Sequence, residues 1–477
     1  MSVERAALLC LIVLKLGLLI ACGPSSEPDW GSYSAFADII LGHTTPDTAN
    51  WLSDAGLDRE AVPLTIFRSI GFPLIVAAFR FLLGAGPLHL YAIVVAQMAL
   101  SVLATVVLWR LARTLLKSRG LALLAAAGHA TATTLLYDQS LLSDSLYNNL
   151  FILGWAVPLL GLLEGRAPRP AVLFGLGLAL GVSCLDRGTG LLFSILILPQ
   201  TALWLWRRRP APGFVVGTAL FLLPATALVG GDMAWNHART GHWIMTTGAQ
   251  YVMIQPLIKA AGRGHDMFDG ETPIDIVARE ELKTFHYDEI FRIVDRLFTD
   301  YHLDAIASAE LHKQVYLAAW KRHPGAMLEN AFHNYNNSIF LQFLNPPESI
   351  VSYWHIVGGK RLFLGFGKSW AALRQGDLGQ GVWLVAALLF NALSYLLFAA
   401  LTAGGVLLAR RLWRARRWPD PHEATVLWLW TIFFVYTLTL CAIHMVGRFV
   451  PAASPAGLIA SLVLAQSLIT TLRTART

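Results

Sequence analysis

Residues 170–209 read PAVLFGLGLALGVSCLDRGTGLLFSILILPQTALWLWRRR. Two apolar runs, 170–185 and 189–206, are parted by Asp186-Arg187-Gly188 and closed by Arg207, Arg208 and Arg209. Each run is near the minimum of about 17 residues that crosses a bilayer. A tight charged turn on one side and an arginine cluster on the other make this a transmembrane hairpin. Short loops rich in Lys and Arg mark the cytoplasm.

The same pattern extends along the chain. Apolar spans are expected at 5–22, 87–109, 120–137, 143–163, 170–185, 189–206, 213–231, 381–408, 424–444 and 449–471. Lys and Arg alternate with them. One side holds Arg5, the run from Arg110 to Arg119, Arg166 and Arg169, the three arginines at 207–209, the five between Arg410 and Arg417, and Arg473 with Arg476. The short loops on the other side hold only Arg187 and Arg448. About ten spans with both termini cytoplasmic satisfy this asymmetry.

Composition agrees. Of 477 residues 55% are hydrophobic and 14% are charged, with a mean hydropathy of +0.54. A soluble domain carries charge on roughly a quarter of its residues, so lipid must cover this chain. The net charge of +7 is no nucleic-acid signal, because the basic residues sit in loops between spans. Cys10, Cys22, Cys184 and Cys441 lie in or beside apolar runs without metal-type spacing, and no structural disulfide is expected. Leu19-Ile20-Ala21-Cys22 resembles a lipoprotein cleavage box, but Lys15 interrupts the apolar region. The first segment reads as an uncleaved anchor helix.

The expected fold is therefore an all-α polytopic membrane protein in three parts. Residues 1–231 form an N-terminal membrane domain whose first external loop is 23–86. Residues 232–380 form a mostly helical extracytoplasmic domain, with helical spacing at 274–297 and 304–322. Residues 381–477 hold the last spans. In the first loop, Tyr33, Phe36, Ala37, Ile40 and Leu41 share one helix face, expected in the membrane interface. A short helix is expected at 49–61, and 64–83 reads as a helix on or dipping into the bilayer.

Ionisable residues gather on the side opposite the arginine loops. Asp29, in Glu27-Pro28-Asp29-Trp30, is placed to take a proton as a general base, with Trp30 and Tyr33 as apolar walls; it equally suits a helix N-cap. Asp138 and Asp144 flank the tight turn between spans three and four, where Ser143 or Asp144 also suits a cap. Arg187 suits a phosphate through its guanidinium fork, with glycines beside it that let backbone approach an anion, or a solvated pair with Asp186. His444 and Arg448 break the last hairpin, and Arg448 alternatively snorkels. Histidine spacing supports no bound metal, and no Gly-rich nucleotide loop is present.

Four stretches resemble the GT-C superfamily of polytopic glycosyltransferases, in the bacterial branch related to protein O-mannosyltransferases and the lipid A aminoarabinose transferase. They are Pro28-Asp29-Trp30-Gly31-Ser32-Tyr33, Arg68-Ser69-Ile70-Gly71-Phe72-Pro73-Leu74, Leu142-Ser143-Asp144-Ser145-Leu146 and Gly447-Arg448-Phe449-Val450-Pro451. Softer matches are Trp235 to Trp243 and Lys321 to Gly325. Asp29 lacks the family's second acid, Asp144 stands where Glu is usual, and Ile70 replaces a Pro.

The resemblance implies a polyprenyl-phosphate sugar as donor and an extracytoplasmic acceptor, in a bacterial plasma membrane, without metal or nucleotide. It implies Asp29 as base, Asp144 orienting acceptor or arginine, and Arg68, Arg187 and Arg448 on the donor phosphate. Trp30, Tyr33, Asp138 and His444 would wall the acceptor site. A transporter or flippase of lipid-linked saccharide is the alternative; it wants ionisable groups near the midplane, where only Lys15 and His129 occur.

Overall fold

A computed structural model describes residues 3–26, 29–44, 64–131, 133–208, 211–286, 289–339, 366–443 and 447–474. Among them every regular element is a helix. The chain runs through α1 (Val3–Cys22), α2 (Trp30–Ile40), the single turn α3 (Leu64–Phe67), α4 (Gly71–Leu83) and α5 (Leu88–Leu115). It continues with α6 (Arg119–Thr131), α7 (Thr133–Tyr137), α8 (Ser143–Leu163), α9 (Pro170–Asp186), α10 (Thr189–Phe193), α11 (Leu198–Arg208) and α12 (Ala211–Thr240). A group of helices follows, none long and apolar enough to cross a membrane: α13 (Gly248–Tyr251), α14 (Gln255–Ala261), α15 (Pro273–Glu281), α16 (Glu289–Thr299), α17 (Ala305–Arg322) and α18 (Pro324–Ile339). Last come α19 (Phe366–Arg374), α20 (Leu378–Ala415), α21 (Pro421–Ile443) and α22 (Ser454–Thr474).

This is a multi-span membrane protein. Among the described residues seven stretches are long and apolar enough to cross: α1, α5, α8, Thr189–Arg207, α12, α20 and α21. Three expected spans fall on less regular helices. Span 170–185 is the 17-residue α9, 120–137 is divided between α6 and α7, and 449–471 opens with the 3-10 turn Gly447–Ala452 before α22. Ten is thus not the count that helix length alone yields. α4 has 13 residues, about 20 Å at 1.5 Å each, too short to cross a core of about 30 Å.

α8 is the hub. Tyr147, Phe151 and Trp155 are buried along it, and beyond its polar first two turns, from Leu150 to Leu163, it is apolar on all sides because protein surrounds it. Its neighbours show one face to protein and one to lipid. Small residues set the closest crossing, as expected without a hydrophobic drive between helices. A Cβ on Gly177 of α9 would lie 2.1 Å from the Phe221 carbonyl oxygen of α12, and one on Gly181 3.0 Å from the Ala225 Cα.

Several boundaries depart from the sequence reading. α2 buries Tyr33 and Ala37 against α4 and α5 and Phe36 against Ile70 and Trp235, so that face is a core face and not a lipid face. The stretch 274–297 is two helices: α15 ends before Leu282, and Phe285 takes a left-handed φ of 54°. α12 runs nine residues past the expected end of its span at 231, to Thr240. The expected helix at 49–61 lies outside the described residues.

The helices from α13 to α18 share their own core of Tyr251, Ile254, Leu257, Ile274, Ile293 and Leu297. Asp304 caps α17 by accepting from the backbone of Ile306 and Ala307 at 2.9 and 2.7 Å. The domain also caps the membrane part. Asn334 Nδ2 donates to the Cys441 carbonyl at 3.0 Å and Tyr316 Oη to the Ala442 carbonyl at 3.1 Å. Those two carbonyls lie in the last turn of α21, where helical carbonyls need partners from outside the helix.

His312 lies in this domain core, its Nδ1 2.7 Å from the Ser308 carbonyl and its ring edge-on to Tyr251. Burial pushes its pKa down from 6.5 to about 4. The unfolded chain takes a proton that the folded domain refuses. The domain therefore keeps its full stability above pH 6.5 and loses up to about 3 kcal/mol as pH falls towards 4. Hydrogen exchange over 305–322 should rise across that window in the wild type and much less in His312→Gln. A wild-type profile without that rise would refute the assignment.

Candidate active site

Three segments far apart in sequence meet at one membrane edge. Their approach is set by bare backbone. A Cβ on Gly71, in the first turn of α4, would lie 2.5 Å from the Asp186 amide nitrogen at the end of α9. Only glycine admits that contact, and it brings the Arg68 segment beside Arg187. A second join comes from the last turn of α12 and the loop after it. The Thr247 amide donates to the Ile66 carbonyl at 2.9 Å, the Thr246 hydroxyl to the Phe67 carbonyl at 2.5 Å, and Arg239 Nη1 to the Thr65 hydroxyl at 2.7 Å.

Two ion pairs occupy the junction. Arg68 Nη2 donates to Asp29 Oδ1 at 2.7 Å, with side chains 18% and 21% exposed. Its guanidinium lies 5.4 Å from the Tyr33 ring centroid and 5.3 Å from that of Phe67. Arg187 Nη2 donates to Asp144 Oδ1, and its guanidinium lies 5.5 Å from the Tyr147 ring. Here the exposures are 13% and 1%. Tyr33 stands between the pairs, within electrostatic reach of all four charges. Its hydroxyl is 3.2 Å from the Ser143 hydroxyl. Burial raises the phenol above its ordinary pKa against the pull of Arg68, so it remains a neutral hydroxyl.

These contacts decide between the sequence alternatives. Asp29 precedes α2 yet makes no side-chain cap hydrogen bond; its carboxylate turns to Arg68. Leu142 holds the N-cap position of α8, so neither Ser143 nor Asp144 is the cap. Asp144 sits in the first helical turn, where the helix dipole favours a carboxylate. Arg187 crosses to Asp144 and is mostly buried, which is not a solvated pair. Gly188 and Gly190 face protein: their Cβ positions would meet the Thr246 side chain at 2.9 Å and the Ser183 carbonyl oxygen at 2.5 Å. They let the turn pack on its neighbours.

Other expected residues lie elsewhere. Trp30 is half-buried, with the Arg80 guanidinium 5.9 Å from its ring. Asp138 is fully buried and pairs with Lys15 of α1, so its carboxylate is not part of the exposed wall. Ser101 and Ser145 complete that pair at 3.3 and 2.5 Å. Ser25 and Ser140 form a parallel bridge one turn away, tying the chain that leads to Asp29 onto the turn that leads to Asp144. His444 lies outside the described residues. Arg448 is carried by the backbone of Gly447–Ala452, a turn that packs against α7 and α8. Tyr147 went unread in the sequence, and Arg239 stood there only within the softer match Trp235 to Trp243; their distant partners give them a role.

No family model matches the sequence, and no curated protein matches it. Solved structures do. The chain is similar to the Archaeoglobus fulgidus oligosaccharyltransferase in the apo form, with 12% identity and a TM-score of 0.45 over 99% of this chain and 51% of that one. It is similar to AglB of the same organism in complex with an inhibitory peptide and a dolichol-phosphate, with 11% identity, a TM-score of 0.44 and the same coverages. ArnT from Cupriavidus metallidurans bound to undecaprenyl phosphate gives 14% identity and a TM-score of 0.33, over 98% of this chain and 78% of that one. The chain spans about half the length of the archaeal enzyme.

The arrangement has a definite chemical capacity. Two partly exposed arginines, held by carboxylates and aromatic rings, present planar forks at a membrane edge, where an anion with an apolar tail would arrive. Asp29 is the more exposed carboxylate and can meet a ligand. Asp144 is enclosed and holds Arg187 in place. Among the described residues no group of three or more His, Cys, Asp and Glu could hold a metal ion.

Proposed function

We propose that this chain is a membrane glycosyltransferase of the GT-C kind, moving a sugar from a polyprenyl-phosphate donor to an extracytoplasmic hydroxyl or amine. One observation carries the reading: the Asp29–Arg68 and Asp144–Arg187 pairs meet around Tyr33. The donor phosphate takes the guanidinium forks of Arg68 and Arg187, with Arg448 as a third cation. Arg68 then exchanges carboxylate for phosphate, and Asp29 is released as a base. The acceptor heteroatom attacks the anomeric carbon and its proton passes to Asp29. The bond from that carbon to the phosphate oxygen breaks with its electron pair, and the configuration inverts. Fixed positive charge thus stands where negative charge grows. Tyr33 walls the acceptor side, and neither metal nor nucleotide takes part.

The distribution of arginines supports a bacterial plasma membrane orientation with both termini cytoplasmic and the site outside. A transporter of lipid-linked saccharide is the second reading, and the buried Lys15–Asp138 pair inside the bundle favours it. A transfer assay separates the two. Purified protein in lipid receives a radiolabelled polyprenyl-phosphate sugar and a membrane extract as acceptor. Wild type should transfer label, and Arg187→Ala should lose about 10²-fold or more, as when a donor to a developing oxyanion is removed. Transfer by neither protein, across several donor sugars, would favour the transporter.

A further inference from the structure

A cleft of about 320 Å³ opens between the ends of α20, α21 and α22, at the edge opposite the candidate active site. That is the small end of ligand-site volumes, roughly 300–1,000 Å³. Its floor is apolar, with Leu407, Val426, Leu464 and Leu468, and its rim carries Arg411 and Glu423. Gly404 shapes it, because a Cβ there would meet Leu464 at 2.7 Å.

The rim has more positive charge than its carboxylates can balance. The segment 410–423 that borders it holds five arginines, Arg410, Arg411, Arg414, Arg416 and Arg417, and two acids, Asp420 and Glu423. Glu423 is already occupied: Arg411 donates to it, and Arg417 donates twice, at 2.8 and 2.7 Å. Arg410, Arg414 and Arg416 are exposed. Positions 404, 407, 411 and 414 advance by three, four and three, so they form one stripe of the helix. The stripe that lines the cleft therefore carries Arg414 over its mouth. Trp413 and Trp418 are 85% and 92% exposed beside it, as indoles are at head-group depth.

We propose that this cleft binds an anionic glycerophospholipid of the surrounding bilayer. An acyl chain lies along Leu407, Leu464 and Leu468, and the phosphate meets Arg414 with Arg410 and Arg416. A zwitterionic lipid fits the floor but brings its own cation to a cationic rim. An arginine near an anionic lipid surface contributes roughly a fivefold preference, so three should give at least tenfold. Arg411 and Arg417 stay with Glu423 and lock α20 to α21.

The test is lipid retention by the purified full chain in detergent, read by native mass spectrometry after exposure to phosphatidylglycerol or phosphatidylcholine. Wild type should keep phosphatidylglycerol at least about tenfold more than phosphatidylcholine. The triple variant Arg410→Ala/Arg414→Ala/Arg416→Ala leaves the Glu423 pairs intact and should bring that ratio near one, with an unchanged melting temperature. Leu468→Trp fills the floor and should abolish retention although every arginine remains. Equal retention of the two lipids by wild type, or wild-type selectivity in the triple variant, would overturn the proposal. Full retention by Leu468→Trp would also overturn it, leaving only a charged surface.

Discussion

Asp29→Asn should abolish sugar transfer, by about 10²- to 10⁴-fold, in a protein that still folds and still binds donor. The amide keeps an oxygen for Arg68 Nη2 at the same place, so the 2.7 Å contact survives. What is lost is the ability to take a proton. The effect should fall on kcat, with the donor KM little changed. Asp144→Asn differs in kind. Asp144 is 1% exposed and its partner is Arg187, so weakening the pair loosens a phosphate-binding fork and should raise the donor KM. If both variants changed the same parameter, the division of labour between the carboxylates would be wrong. If Asp29→Asn retained full transfer, the base would lie elsewhere.

Removing one member of the Lys15–Asp138 pair should be the most destabilising single change in the membrane part. The two side chains are 1% and 0% exposed. A lone charge left there costs about 3–5 kcal/mol, whereas replacing both partners by apolar groups of similar volume is near neutral. Lys15→Met and Asp138→Leu should each lower the melting temperature in detergent sharply. The double variant should recover most of the loss, short of a small remainder because Ser101 and Ser145 lose their partner. Additive losses would show that the pair is not coupled.

The spans were legible because lipid demands long apolar runs and the arginines alternate around them. The charges of the candidate site were legible as a set: Asp29, Asp144 and Arg187 stand out beside the ends of apolar runs and Arg68 in the long loop between two of them, on the side opposite the arginine-rich loops. Their pairing was not. Arg68 reaches Asp29 across 39 positions and Arg187 reaches Asp144 across 43, and no local rule links residues at such distances. Asp138 illustrates the limit. It reads like its neighbour Asp144, yet it points into the bundle because Lys15 is there. The role of Gly71 depends on an α9 backbone more than a hundred positions away. The break at Phe285 was hidden because apolar spacing continues through it while the backbone turns left-handed.

The Lys15–Asp138 pair also imposes a schedule on biosynthesis. Its partners lie 123 positions apart, so α1 leaves the ribosome and meets the insertion machinery long before Asp138 exists. During that interval α1 carries an uncompensated ammonium, at a cost of about 2.5–3.5 kcal/mol if centred in the bilayer. The helix is then a poor free-standing anchor, best kept beside the translocon or shifted towards an aqueous edge. Emergence of the 138–145 turn changes its status. From that moment Lys15 draws α1 into the bundle, and α1 docks only after a partner made 123 positions later.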